Sequence, residues 1–276
     1  MKETHARQKG NWRKLCLQVT DAVMKNISAI RQYCSFNSRM SQALLEAVKH
    51  PGAVKWRSVA YYLDVCGSDA MPIIALLGFL IGVILAFQAI IQLGRFGVES
   101  YVINLVGSVI VTELAPLVTA VVLAGRTGSA FAAELGTMKV NEELDAMTTF
   151  GIDLGRFLLL PKLLAMLLAT PGLTIIADVC GILGGMMIVC SMLHFSLAEY
   201  IGRTCEIIQP VDLLQGMAKS VAFGAIVALV GCMKGLNAPR DAGGVGSSTT
   251  SAVVGAIFLI VVIDAVLTAL FGLMAG

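Results

Sequence analysis

Five long apolar runs leave this chain few ways to fold. They are Ile73–Leu93, Tyr101–Ala124, Leu158–Leu193, Leu213–Met233 and Ala252–Met274. A bilayer core is crossed by about 20 apolar residues in a helix. Lipid offers no hydrogen bonds, so each run must satisfy its own backbone. The spacing therefore predicts an all-α membrane protein with five spans. Composition agrees: 57% of the 276 residues are hydrophobic and 14% are charged, against about 25% charged in a soluble domain. The third run exceeds one crossing and contains Pro171-Gly172. It is either one long kinked helix or a short re-entrant piece followed by a span.

Five spans put the two ends on opposite sides. With the N-terminus inside, the inner segments carry 17 Lys and Arg and the outer ones three, counting Lys219 outside and Lys162 inside. That split predicts a cytoplasmic N-terminus and a C-terminus on the opposite, outer side. Residues 1–70 are expected to form a separate interfacial region, followed by a five-span domain over 71–276. Trp12, Leu15, Val19, Val23, Ile27 and Ile30 share one helical face, which suits a membrane surface or protein packing. A second amphipathic stretch, Met40–Val48, ends at a turn over His50–Gly52. No apolar segment follows the basic N-terminus, so no cleaved signal peptide is expected. The seven cysteines lack metal-site spacing and read as free thiols.

Ionisable residues within apolar spans are expensive and face a bundle interior or a cavity. Glu113, Asp178 and Asp264 are in that position. Glu113 fits either a transport pathway or an inter-helical pair. Asp264 is open in the same way, and Asp178 reads as structural. Gln88 could bond across helices. Between spans two and three, Gly125–Arg156 reads as a loop and then a charged amphipathic helix. Ser129 is its expected cap. Glu134, Lys139, Glu142, Glu143 and Asp145 alternate there with Phe131, Leu135, Met138, Leu144 and Met147. Such a helix lies on the membrane or docks a partner. Arg126 could snorkel to the surface, pair with Glu134, or meet that partner. Ser247–Thr250 are expected to cap span five. The Gly243–Gly246 run lacks phosphate-loop spacing, as does the rest of the chain. ATP-driven work would need a separate ATPase.

Three blocks carry a resemblance: E-L-A-P-L at Glu113–Leu117, A-G-R-T-G-S-A at Ala124–Ala130, and A-E-L-G-T-M-K-V-N-E-E at Ala133–Glu143. With G-G-V-G-S-S-T-T-S-A-V at Gly243–Val253 and Asp264-Ala265, they resemble the MlaE/YrbE family of ABC permeases, the membrane subunits of Mla- and Mce-type lipid transporters. The chain departs from it at Thr112 and Ala115, where members often carry Arg and Gly. The resemblance implies five spans behind an N-terminal interfacial helix, in a homodimer whose central cavity holds phospholipid. It places the protein in the bacterial inner membrane. It assigns the lipid pathway to Glu113, Gln88, Thr112 and Asp264. It implies a coupling helix over about 129–147, with Arg126, Ser129, Glu134, Gly136, Lys139, Glu142 and Glu143 engaging the ATPase. The partners implied are that ATPase, an Mce-domain periplasmic lipid-binding protein and a STAS-domain regulator, with no nucleic acid. No cofactor is expected in this chain; ATP is used by the partner. Two other functions compete. An ion-coupled secondary carrier would use the three intramembrane acids, although no inverted repeat supports it. A scaffold would use them as inter-helical pairs.

Overall fold

The computed structural model describes residues 55–193 and 195–275. The amphipathic stretches expected before residue 55 lie outside them. Helix α1 (Trp56–Ser68) leads through Asp69-Ala70 into α2 (Met71–Gly94), which is span one. Span two is one helical run, Glu99–Val140, made of α3 (Val102–Val109), α4 (Ala115–Leu123) and α5 (Ser129–Val140). Wide π turns at Ile110–Leu114 and Ala124–Gly128 join them. A short helix α6 (Glu143–Thr149) follows. A third π turn, Gly155–Leu159, then opens α7 (Leu160–Leu193), and the two form span three. Outside the bundle lies α8 (Leu197–Ile207). Spans four and five are α9 (Pro210–Leu236) and α10 (Ala242–Ala275). Among the described residues, five helices are therefore long and apolar enough to cross a membrane.

Two of the π turns have a local cause. Ile110–Leu114 ends two residues before Pro116, and Gly155–Leu159 two residues before Pro161. Proline has no N–H for the helix ladder and crowds the carbonyl four residues back. A widened turn relieves that conflict without breaking the helix. Pro171 lies inside a single unbroken helix, so the re-entrant alternative for span three is ruled out.

Two boundaries differ from the sequence expectation. Span two does not end at Ala124; it stays helical to Val140. Gly128 and the facing glycines of span four serve close approach, whereas Gly125 has nothing within 4 Å. A Cβ on Gly231 would sit 2.7 Å from the Gly128 carbonyl, and one on Gly235 would sit 2.8 Å from the Ala132 carbonyl. Ser129 is likewise no cap. It continues the helix and donates to the carbonyls of Gly125 (2.5 Å) and Arg126 (2.9 Å). Span five begins at Ala242, ten residues earlier than its apolar run. Ser247 and Thr249 donate back to the carbonyls of Gly244 and Gly246, and Thr250 also reaches the Gly246 carbonyl. Inside a helix such back-bonding replaces the capping role.

Span four is central, packing on spans three and five and on both halves of span two. Span one packs mainly on span three. Their seam is made of small residues: Gly78 and Gly82 face Ala177 and Gly181, and Gly184 faces Phe79. In lipid, where apolar side chains gain little by leaving solvent, such close backbone contact drives association. Span five is the least buried of the five. Helix α8 is held by Ser196, which accepts from the Glu199 N–H, and by buried Tyr200. Burial pushes the Tyr200 phenol up to about 12.

Candidate functional site: two ionic clusters and an inner elbow

Lys219 lies in α9, well inside span four, and its side chain is 1% exposed. It is not an outer-loop residue, as the charge count assumed. Lys162 is likewise buried within span three rather than free in an inner segment. With both set aside, the split between the segments expected inside and outside is 16 Lys and Arg to two.

An ammonium cannot stay in that position alone, and its partners come from two other spans. Lys219 Nζ is 2.5 Å from Glu113 Oε2 and 3.0 Å from Asp264 Oδ1. It also donates to Thr268 Oγ1 at 2.8 Å. The Asp264 contact is an ion pair without an aligned hydrogen bond. The Thr268 hydroxyl is shared between Glu113 Oε1 at 3.0 Å and the Asp264 carbonyl at 2.9 Å. Glu113 is aimed here by the first π turn. The cluster holds two carboxylates to one ammonium. Its acids are partly open, with side-chain exposures of 32% for Glu113 and 18% for Asp264.

The four residues assigned to the lipid pathway do not all meet. Glu113 and Asp264 share the cluster. Thr112 turns its hydroxyl back to the Ser108 carbonyl. Gln88 sits on the exposed face of span one. Sequence reasoning missed Lys219 and Thr268. The missed signal was a lysine inside an apolar run, in a chain with acids in two other runs. Asp178 is buried, and its Oδ1 has no hydrogen-bond partner among the described residues.

A second cluster sits where α1 meets spans two and three. Lys162 is wholly buried, with Nζ 2.8 Å from Glu134 Oε2 but not aligned as a hydrogen bond. It lies 5.1 Å from the Tyr62 ring centroid and 5.2 Å from that of Phe131, in cation–π range. Those rings meet edge-on. The Tyr62 hydroxyl donates to Glu134 Oε1 at 2.9 Å. Burial, and then the Glu134 charge, push the Tyr62 phenol far up, so it remains a donor. Nearby, burial raises the Cys66 thiol to about 11. Removing Glu134 strands a buried ammonium. Glu134→Ala is expected to cost about 3 kcal/mol and Tyr62→Phe about 1 kcal/mol, read as thermal shifts of the detergent-solubilised protein.

Arg126 does not pair with Glu134, which Lys162 and Tyr62 occupy; it pairs with Asp69, which the sequence reading did not name. The guanidinium is 2.7 Å from Asp69 Oδ2 and also donates to the Asp69 carbonyl. Lys139 Nζ donates to the Leu236 carbonyl at 2.7 Å, at the end of span four, where the helix dipole favours a cation. Gly136 faces Ala238 and Val245. The inner part of span two is thus tied to α1, span three and span four.

The expected helix over about 129–147 is two helices. Ser129–Val140 belongs to span two, and Glu143–Thr149 stands apart from it. Glu142 makes the bend with φ 60°, a conformation uncommon for a residue with a Cβ. Glu142, Glu143 and Asp145 are exposed, while Leu144 is buried. Asp145 pairs with Arg240 of the inner link between spans four and five at 2.7 Å. Phe150 ends the elbow, 81% exposed. The sequence reading passed over this aromatic.

The model of the permease MlaE family matches residues 59–270. A probable ABC transporter permease protein of Rickettsia bellii is 31% identical over 257 residues, covering 93% of this chain and 99% of its own. The intermembrane phospholipid transport system permease protein MlaE of Haemophilus influenzae is 30% identical over 209 residues, 75% of this chain and 80% of that one. The chloroplastic protein TRIGALACTOSYLDIACYLGLYCEROL 1 of Arabidopsis thaliana is 32% identical over 235 residues, 85% and 67% of the two chains. The match takes in all five spans and both ionic clusters, and this chain belongs to the MlaE permease family.

Proposed function

We propose that this chain is the membrane permease of an ABC transporter that moves phospholipid between membranes, driven by ATP hydrolysis on a separate subunit. The observation that carries the reading is the Glu113–Lys219–Asp264 cluster, set on a permease of this family. It keeps partly open carboxylates at membrane depth, where a passing head group needs polar partners and acyl chains do not. The name of the Haemophilus relative supports phospholipid as cargo. Glu113 and Asp264 line the pathway, with Gln88 and Thr112 nearer its margins. Two copies enclose that pathway, each contributing the sparsely covered face of span five. The protein sits in the bacterial inner membrane with its N-terminus cytoplasmic and its C-terminus periplasmic, in keeping with the charge bias.

The mechanism follows from the ties described above. The ATPase engages the inner elbow, near Glu142 and Glu143. Arg126, Glu134 and Lys139 bind the inner part of span two to its neighbours, so a push on the elbow moves that part as a block. Ser129 and Gly136 keep the block compact. The π turns at Ala124–Gly128 and Ile110–Leu114 absorb the bend, and the second carries Glu113. An Mce-domain protein receives or delivers lipid on the periplasmic side, and a STAS-domain protein regulates the ATPase.

The test is reconstitution of the complex in proteoliposomes, following transfer of a fluorescent phospholipid with and without ATP. Transfer should require ATP and fall severalfold in Glu113→Gln. Flux through the isolated chain under an ion gradient without ATP would sink the proposal in favour of a secondary carrier.

A further inference from the structure

We infer that the ATPase-docking face is composite: Phe150 is its apolar anchor, and the Asp145–Arg240 ion pair holds the second inner link, Asn237–Asp241, beside it. This rests on the docking reading above and names the residues that would carry it. Phe150 is a large aromatic left 81% exposed at the tip of an inner turn. It is held rather than loose. Its N–H donates to the Ala146 carbonyl, and Gly151 behind it takes φ 74°. Leu144 pins α6 to the body below. On the same two links Glu142, Glu143, Asp145 and Asp241 are exposed, with Arg240 paired to Asp145. Those five side chains sum to three net negative charges on the links that carry this aromatic knob. Its complement is a groove with an apolar pocket wide enough for a phenyl ring and a rim of Lys and Arg, as interface anchors and their surrounds are built.

The second link belongs to the same surface because two bonds hold it there. Asp145 to Arg240 spans 2.7 Å, and Lys139 to the Leu236 carbonyl spans 2.7 Å. Ala238 is buried against Gly136, which fixes the link's height. A partner seated on Phe150 thus also bears on the start of span five. Its movement reaches span five directly and span two through the elbow.

The test uses the whole transporter, purified through a tag on this chain, with the retained ATPase quantified across a salt series. Phe150→Asp should weaken retention on the order of tenfold or more, with Phe150→Ala in the same direction and Phe150→Leu close to wild type. Glu142→Lys with Glu143→Lys should weaken it and flatten its salt dependence. Arg240→Ala should weaken it less, and Asp145→Arg with Arg240→Asp should restore it. Wild-type retention and salt response in both Phe150→Asp and Phe150→Ala would overturn the anchor while leaving the docking reading intact. A wild-type chain that holds no ATPase would overturn both. Loss of Phe150→Asp from the membrane, with Phe150→Ala still holding the ATPase normally, would show a ring seated in lipid and also overturn it.

Discussion

Lys219→Met is expected to destabilise the folded protein by about 3–5 kcal/mol, the cost of breaking a buried ion pair from one side. The methionine fills the space but leaves Glu113 and Asp264 facing one another without their shared counter-charge. Detergent-solubilised protein should show a lower melting temperature and a broadened size-exclusion peak. The triple variant Lys219→Met, Glu113→Gln, Asp264→Asn separates fold from function. Neutralising the whole cluster removes the stranded charges, so stability should largely return. Lipid transfer should not return if the carboxylates serve the pathway. A triple variant that recovers both would make the cluster a strut and nothing more. Lys219→Met at wild-type stability would show that the ammonium does not hold spans two, four and five together.

Gly82→Val should have the largest effect of any single glycine substitution among the described residues. A Cβ at position 82 would lie 1.9 Å from the Gly181 carbonyl oxygen and 2.7 Å from its carbon. Both are backbone atoms of the facing helix, so no rotamer change relieves the clash. Spans one and three must separate, and the seam beside Gly78 and Gly184 opens with them. Little folded protein should reach the membrane, as measured by fluorescence-detected size exclusion of a tagged chain. Gly67→Ala is the contrast. It lies in α1 with nothing within 4 Å, and it should stabilise by about 0.5–1 kcal/mol through helix propensity alone. A Gly82→Val chain that behaves like Gly67→Ala would refute the close packing of spans one and three.

The number of spans was legible in the sequence because each run exceeds what a bilayer needs, and membrane burial leaves little to tertiary context. The inner end of span two was not. Gly128 carries the same letter whether a helix ends or another helix presses against it. Only the facing Gly231, about 100 residues on, decides between the two. Glu113 and Asp264 stood out as acids at depth, yet Lys219 was read by its distance from the start of its run. Pairing is a three-dimensional property, and a lysine inside an apolar span is intelligible only beside the acids that share its depth. Phe150 failed as a signal for the opposite reason. In a chain with 57% hydrophobic residues, one more aromatic attracts no notice until its exposure is known.

The ionic cluster also bears on how the chain is made. Synthesis delivers Glu113 first, Lys219 with the fourth span, and Asp264 and Thr268 with the last. Span four therefore reaches the translocon with an ammonium that has one carboxylate to meet. Its membrane insertion is helped if span two waits nearby, still unshielded by lipid. The set closes only when span five leaves the ribosome. Until then an unfinished or mispaired bundle keeps an exposed charge within the bilayer, a mark that membrane proteases and chaperones can read.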